Sequence, residues 1–334
     1  MSERRALPLI DSFGRRHNNL RISVTDRCNF RCTYCMPEDV TFLPQQHLMS
    51  FEEIARFAHI AAGRGVDKIR LTGGEPLLRR ELHKLVAMLT SIPGIKEVGL
   101  TTNGLLLGEH ASSLVEAGLR RLNVSLDTLD RDQFRRIARR DGLEKVLDGI
   151  ERARVVGFGP IKVNAVAMKG SNEDQVVPLA RYCRERGLEL RFIEYMPLEA
   201  EETWQRGQVL TAAQLRDMLA EAGMPTQPIP RSDPSAPATD FEYTDGKGRL
   251  GIIASVSEPF CQSCNRIRLT AEGKLRNCLF ALEEVDIKTP MRQGASDAEI
   301  ASLIEGNVVD KWEGHQINSA GYVRPPRTMH TIGG

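Results

Sequence analysis

Hydrophobic and polar residues alternate with a period of two in six short stretches: Leu20–Thr25, Lys68–Thr72, Val98–Asn103, Leu122–Asp127, Ile161–Met168 and Glu189–Tyr195. Such alternation reads as strands. Between them, apolar residues recur at helical spacing near 51–63, 80–90, 109–117, 130–155 and 175–186. The first of these helices is punctuated at both ends. Ser50 and Glu53 form a capping box, Phe51, Ile54, Ala55, Ala58 and Ala62 form the apolar stripe, and Gly63 and Gly65 stop it. Six strands alternating with helices predict a parallel sheet with right-handed crossovers.

The two faces of these strands differ. Ile22, Val24, Ile69, Leu71, Val98, Leu100, Leu122, Val124, Leu126, Ile161 and Val163 fall on one face. The other carries Arg21, Ser23, Arg70, Thr72, Thr101, Asn103, Asn123, Ser125, Asp127, Lys162 and Asn164. Crossover helices must cover the apolar face, so the polar face turns inward. A full eight-stranded barrel fills its interior with bulky branched side chains. Here the interior holds three cations, and burying them unpaired would cost on the order of several kcal/mol each. The expected interior is therefore an open, wet cavity with an anionic occupant.

Composition narrows the class. In 334 residues, 45 Lys and Arg nearly cancel 44 Asp and Glu, so bulk charge gives no reason to expect nucleic acid or an acidic membrane as partner. No apolar run is long enough to span a bilayer, and the first residues lack the apolar core of a secretory signal. Pro225–Asp240, rich in Pro, Ser and Ala, reads as a linker. Seven cysteines, most of them clustered, read as metal binding in a reducing cytosol rather than as a disulfide framework.

Cys28, Cys32 and Cys35 offer three thiolates at C-x3-C-x2-C spacing. Three ligands on a four-iron cubane leave one iron open. Zinc with a fourth ligand elsewhere is the alternative. Cys261, Cys264 and Cys278 form a second set of three around a basic segment, where His315 and His330 are conceivable fourth ligands for zinc. Arg266 and Arg268 sit two apart on that segment and share a face if it is extended, a pair that suits a polyphosphate, the alternative being solvated surface arginines. Thr72-Gly73-Gly74-Glu75-Pro76 closes the second strand, with two glycines that let the backbone approach a ligand. Cys183 reads as a core residue.

The first cysteine set after a first strand, Tyr34 ahead of its last member, and the Gly-Gly-Glu-Pro turn after the second strand resemble the radical S-adenosylmethionine superfamily. Leu20 to Cys32, Gly99 to Gly104, Asn123 to Asp127, Arg191 to Met196, the second cysteine set and the terminal Gly333-Gly334 together resemble one family within it, the GTP 3′,8-cyclases. The likeness runs from Arg15 to Gly334, with a looser stretch from Ala200 to Asp240. It implies an α/β fold: a partial (βα)6 TIM-like barrel of parallel strands in residues 1–240. A smaller C-terminal domain, 241–334, would bind a second cluster, close the open side and end in the Gly-Gly tail.

The same resemblance implies two [4Fe–4S] clusters, one on Cys28, Cys32 and Cys35 and one on Cys261, Cys264 and Cys278. It places S-adenosylmethionine against Tyr34, Gly74, Ser125 and Met196, and GTP against Arg21, Arg70, Thr101, Lys162, Arg266 and Arg268. The implied reaction removes the hydrogen at C3′ of GTP with a 5′-deoxyadenosyl radical and joins C3′ to C8, the first step of molybdenum cofactor biosynthesis. Implied partners are a small electron-transfer protein and, downstream, cyclic pyranopterin monophosphate synthase, with a cytoplasmic homodimer as the working form. No catalytic side chain is assigned. Rival readings are a radical peptide-modifying enzyme, which usually adds many more cysteines, and an iron–sulfur sensor, which needs no cationic lining.

Overall fold

A computed structural model describes residues 8–199, 201, 203–231 and 233–333; Gly334 and the first seven residues lie outside these. The six predicted strands form as β1 (Asn19–Ser23), β2 (Lys68–Thr72), β3 (Glu97–Thr102), β4 (Arg121–Ser125), β5 (Ile161–Ala167) and β6 (Glu189–Glu194). They pair side by side, all parallel. Helices α1 (Phe51–Ala62), α2 (Leu82–Thr90), α3 (Leu107–Glu116), α4 (Arg131–Ala138), α5 (Leu143–Val155) and α6 (Val176–Glu185) supply the crossovers. The capping box at Ser50 and Glu53 is present. The apolar strand face is the core: Ile22, Leu71, Leu100, Val124 and Val163 are fully buried.

The single helix expected over 130–155 is two helices. Arg139 adopts a left-handed conformation at φ 52° and Gly142 sits at φ 154°, which breaks the ladder between α4 and α5. The break turns the end of α4 toward the first cysteine loop.

Beyond β6 come α7 (Ala212–Glu221), β7 (Thr226–Pro228), β8 (Thr239–Tyr243), β9 (Arg249–Ile253), β10 (Arg266–Leu269), β11 (Lys274–Arg276) and β12 (Val285–Asp286). Three helices follow: α8 (Lys288–Arg292), α9 (Asp297–Val309) and α10 (Met329–Ile332). The stretch expected as a linker is partly ordered strand. Thr226 to Pro228 pair antiparallel with Phe241 to Tyr243, a strand held in place by its alternately buried Phe241 and Tyr243. The twelve strands run in the order β12-β11-β10-β1-β2-β3-β4-β5-β6-β9-β8-β7. The C-terminal strands therefore extend both edges of the six-stranded sheet: β9 lies parallel to β6, and β10 parallel to β1. Ile267 and Leu269 of β10 are fully buried, while Arg266 and Arg268 alternate with them toward the interior.

Candidate active site: two cysteine loops and an arginine row

The first cysteine loop follows β1 and is strapped from two sides. From the β2 turn, Gly74 N donates to Thr25 O and Glu75 N to Arg27 O, both at 2.7 Å. From α4, the carbonyls of Ala138 and Ile137 accept from Arg31 N at 2.9 Å and Thr33 N at 3.0 Å. The glycines are needed for close approach. A Cβ on Gly74 would lie 2.3 Å from Arg27 O, and one on Gly73 2.7 Å from Thr25 O. The Glu75 carboxylate is fully buried and accepts from Leu77 N, Thr102 Oγ1 and Asn103 N at 2.9, 2.7 and 2.7 Å. It ties the ends of β2 and β3 together; burial pushes it up to about 7 despite those donors. Tyr34 donates to Asp127 Oδ2 at 2.7 Å, anchoring the loop to the end of β4.

Cys28, Cys32 and Cys35 open into a cavity of about 300 Å³ whose wall includes Tyr34, Gly74, Ser125 and Met196. All four positions expected to face S-adenosylmethionine are thus together. Burial pushes the Cys28 thiol up to about 11 and raises Cys32 and Cys35 as well.

Cys261, Cys264 and Cys278 line the same cavity. Cys264 precedes β10, whose Arg266 pairs with Asn19 at the start of β1, whereas Cys28 follows the end of β1. The two sets therefore flank the strands from opposite ends. Their electrostatics also differ. Burial alone would raise Cys264, but Arg266 and Lys311 outweigh it and hold the thiol at about 6. Phe280 N donates to Cys278 Sγ at 3.4 Å.

The histidines considered as zinc ligands each bond through one ring nitrogen, and His315 Nδ1 is buried with no partner among the described residues. His315 Nε2 donates to Ser255 O at 2.9 Å, and His330 Nδ1 lies 2.9 Å from Thr328 Oγ1. Among the described residues, no three His, Cys, Asp or Glu side chains converge as a single metal ion requires. A cubane takes each thiolate on a separate iron, so its ligands need not share one point.

Between the loops stands a row of cations. Arg21 on β1 is in register with Arg268 on β10 and Arg70 on β2. Like charges directly opposite on neighbouring strands repel, so the row is stable only with counter-charge. Arg70 reaches over β3, where Gly99 leaves room: a Cβ there would meet the guanidinium carbon at 2.8 Å. Arg70 lies 3.7 Å from Glu97, and Lys162 lies 2.7 Å from Glu189. Among the described residues no carboxylate pairs with Arg21, Arg266 or Arg268. Burial, then Arg268 and Arg266, drive the Arg21 guanidinium well below its ordinary value. This trio calls for an anion.

Arg70 and Lys162 line a second, polar cavity of about 320 Å³, which shares Arg21, Asn123, Arg191, Pro237 and Arg266 with the first. Thr101 and Arg268 line the first cavity only. The six positions expected to face GTP therefore follow one continuous wall. Arg191 on this wall was missed by sequence reasoning, although it alternates with the buried Leu190 and Phe192. Its place is set by register: Ser125, Asn164, Arg191 and Gly251 are successive partners across β4, β5, β6 and β9. Gly333 also arrives here, at φ 85°, with its carbonyl accepting from Arg268 at 2.5 Å.

A partial parallel barrel with a three-cysteine loop after β1 and a Gly-Gly-Glu turn after β2 defines a radical S-adenosylmethionine protein. Residues 22–183 match the Radical SAM superfamily model and residues 188–317 the Molybdenum Cofactor Synthesis C model. The chain is 49% identical over 332 residues to a protein of Rhodopirellula baltica named GTP 3′,8-cyclase, covering 98% of this chain and 92% of that one. A second protein of that name, from Mycolicibacterium smegmatis, is 46% identical over 333 residues with the same coverage. The chain belongs to the GTP 3′,8-cyclase family. In fold it also resembles crystal structures of Streptococcus suis SuiB. The TM-score is 0.61 at 16% identity in one, covering 91% of this chain and 68% of that chain. In the other, bound to S-adenosylmethionine, it is 0.57 at 17% identity, covering 84% and 63%.

Proposed function

We propose that this chain converts GTP to 3′,8-cyclo-7,8-dihydro-GTP, the first step of molybdenum cofactor biosynthesis. The observation that carries the reading is one cavity lined by both cysteine triplets, with three arginines that no carboxylate among the described residues pairs. Cys28, Cys32 and Cys35 hold the first [4Fe–4S] cluster, with Tyr34, Gly74, Ser125 and Met196 against S-adenosylmethionine. Cys261, Cys264 and Cys278 hold the second, which takes the guanine. Bound at its triplet with S-adenosylmethionine and one electron, the first cluster would supply a 5′-deoxyadenosyl radical able to take the C3′ hydrogen, with methionine as the leaving group.

The protein's share of the work is placement. Arg21, Arg266 and Arg268 take the phosphate charge at the β1–β10 seam; Arg70 and Lys162 continue it, and Thr101 faces the nucleotide. A primary-carbon radical attacks most C–H bonds within reach, so holding the ribose at about 3–3.5 Å is what selects C3′. Functionally, residues 1–240 carry the radical-generating loop and most of the cationic wall, and 241–334 bring the second cysteine set with Arg266 and Arg268. A small electron-transfer protein supplies two electrons per turnover, one to cleave S-adenosylmethionine and one, with a proton, to reduce the ring-closed nucleotide radical, and cyclic pyranopterin monophosphate synthase consumes the product. No helix among the described residues is long and apolar enough to cross a membrane, and we place the enzyme in the cytoplasm as a homodimer.

The test is direct. Anaerobic chain, S-adenosylmethionine and dithionite should release 5′-deoxyadenosine, and GTP should raise the yield and become the cyclised nucleotide. No response to GTP would defeat the reading.

The tail provides a second check. A Cβ on Gly333 would lie 2.7 Å from Thr72 Oγ1 and 2.9 Å from Ser23 Cβ, at a φ of +85°. Gly333→Ala should therefore lower turnover tenfold or so, the scale of a small misplacement near the reacting groups. Iron content should be unchanged; full turnover would show the tail to be a passive end.

A further inference from the structure

Lys311 is a buried ammonium, 4% exposed, at the start of the segment after α9. Its Nζ lies 3.4 Å from Cys264 Sγ and 2.8 Å from Arg266 O. Among the described residues no carboxylate pairs with it. A buried cation without a counter-ion is costly. Among the described residues, the ionisable acceptor within hydrogen-bond reach of it is the Cys264 sulfur, with Cys278 adding negative potential from farther off. The surrounding scaffold is built to hold this arrangement. The N-terminal hairpin from Leu9 to His17 packs a buried Asp11–Arg15–His17 cluster beside it. Arg15 donates to the carbonyls of Cys261, Trp312 and Glu313 at 2.7, 2.6 and 2.6 Å, locking the cysteine turn to the segment that bears Lys311. His17 stays neutral beside the ammonium: burial, then the Lys311 charge, hold it down to about 4.

We propose that Lys311 is a positioning residue of the second cluster: its N–H···S bond orients Cys264 as a ligand, and its charge sets the reduction potential of that cluster. The proposal rests on the two-cluster reading above. A positive charge and a hydrogen bond at a ligand sulfur favour the reduced, more negative cluster and raise its potential. Arg266, whose guanidinium reaches the same sulfur at 3.5 Å, is positioned for the nucleotide; Lys311 is committed to the sulfur and the Arg266 carbonyl.

The experiment uses the full chain with Cys28, Cys32 and Cys35 all changed to Ala, reconstituted anaerobically so that only the second site takes iron. Lys311→Met and Lys311→Arg are compared with this parent by iron and sulfide content and by a redox titration followed by electron paramagnetic resonance. The parent should hold about four irons per chain. Lys311→Met should shift the midpoint to more negative potential, and Lys311→Arg should return it toward the parent. Loss of the cluster in the Met variant with retention in the Arg variant also supports the proposal. An unchanged midpoint and iron content in Lys311→Met overturns it. Equal loss in both variants overturns it too, since shape rather than charge would then matter. A parent that holds no iron defeats the two-cluster reading itself, a failure visible before either Lys311 variant is made.

Discussion

In Cys261→Ala, iron per chain should fall by half, from about eight to about four, as one cubane of two is lost. Release of 5′-deoxyadenosine should persist, while formation of the cyclised nucleotide should drop roughly 10³-fold or more, because the guanine loses its anchor and the ribose its fixed approach. The two readouts separate because the triplets have separate supports. Cys28, Cys32 and Cys35 hang from the β2 turn and the end of α4, neither of which touches Cys261. The fold at Cys261 should also survive, since Arg15 grips its backbone carbonyl, which alanine retains. Iron and sulfide analysis with product chromatography decides the matter. A variant that keeps all its iron would mean that the second triplet is not a cluster site. One that loses half its iron yet still makes product would mean that the second cluster does not hold the substrate.

How much of this was legible beforehand depended on whether a signal was local. The six inner strands were readable because each alternates cleanly and its apolar residues share one covered face, as Ile22, Leu71 and Val163 do. The polar lining was readable for the same reason, which is why Arg21, Arg70 and Lys162 could be placed together from periodicity. The helix break at Arg139–Gly142 was not: α4 and α5 each carry a proper stripe, and only the positive φ values separate them. The edge strands were harder still. Nothing within Arg266–Leu269 says that it pairs with β1, almost 250 residues earlier, as the register shows. Only that pairing makes Arg268, Arg21 and Arg70 one row. Lys311 and Arg15 escaped for a similar reason: each acts on the cysteine turn through tertiary contact, with no motif around it. Glu75 stood out in a motif but works inward, on Leu77, Thr102 and Asn103, rather than on a ligand.

The Gly-Gly turn is where sequence, packing and chemistry meet in one residue, and Gly74→Ala tests the join. The added methyl would sit 2.3 Å from Arg27 O and 2.6 Å from Asp26 O. Both contacts are backbone, so no side chain can swing away; either the β2 turn or the segment leading to Cys28 must move. Overpacking of this kind costs about 1–3 kcal/mol even where a core can yield. The stress falls on the two 2.7 Å bonds that hold the cysteine loop, from Gly74 N and Glu75 N. The expected variant folds, keeps the second cluster, loses most iron from the first and releases no 5′-deoxyadenosine. Gly306→Ala is the control: its Cβ would meet nothing within 4 Å, and it lies in α9, where alanine favours the helix. That variant should match the parent in iron and in cleavage. If Gly74→Ala did likewise, the close approach of the turn would not be what shapes the radical-generating loop, and the support assigned to Glu75 would have to carry it alone.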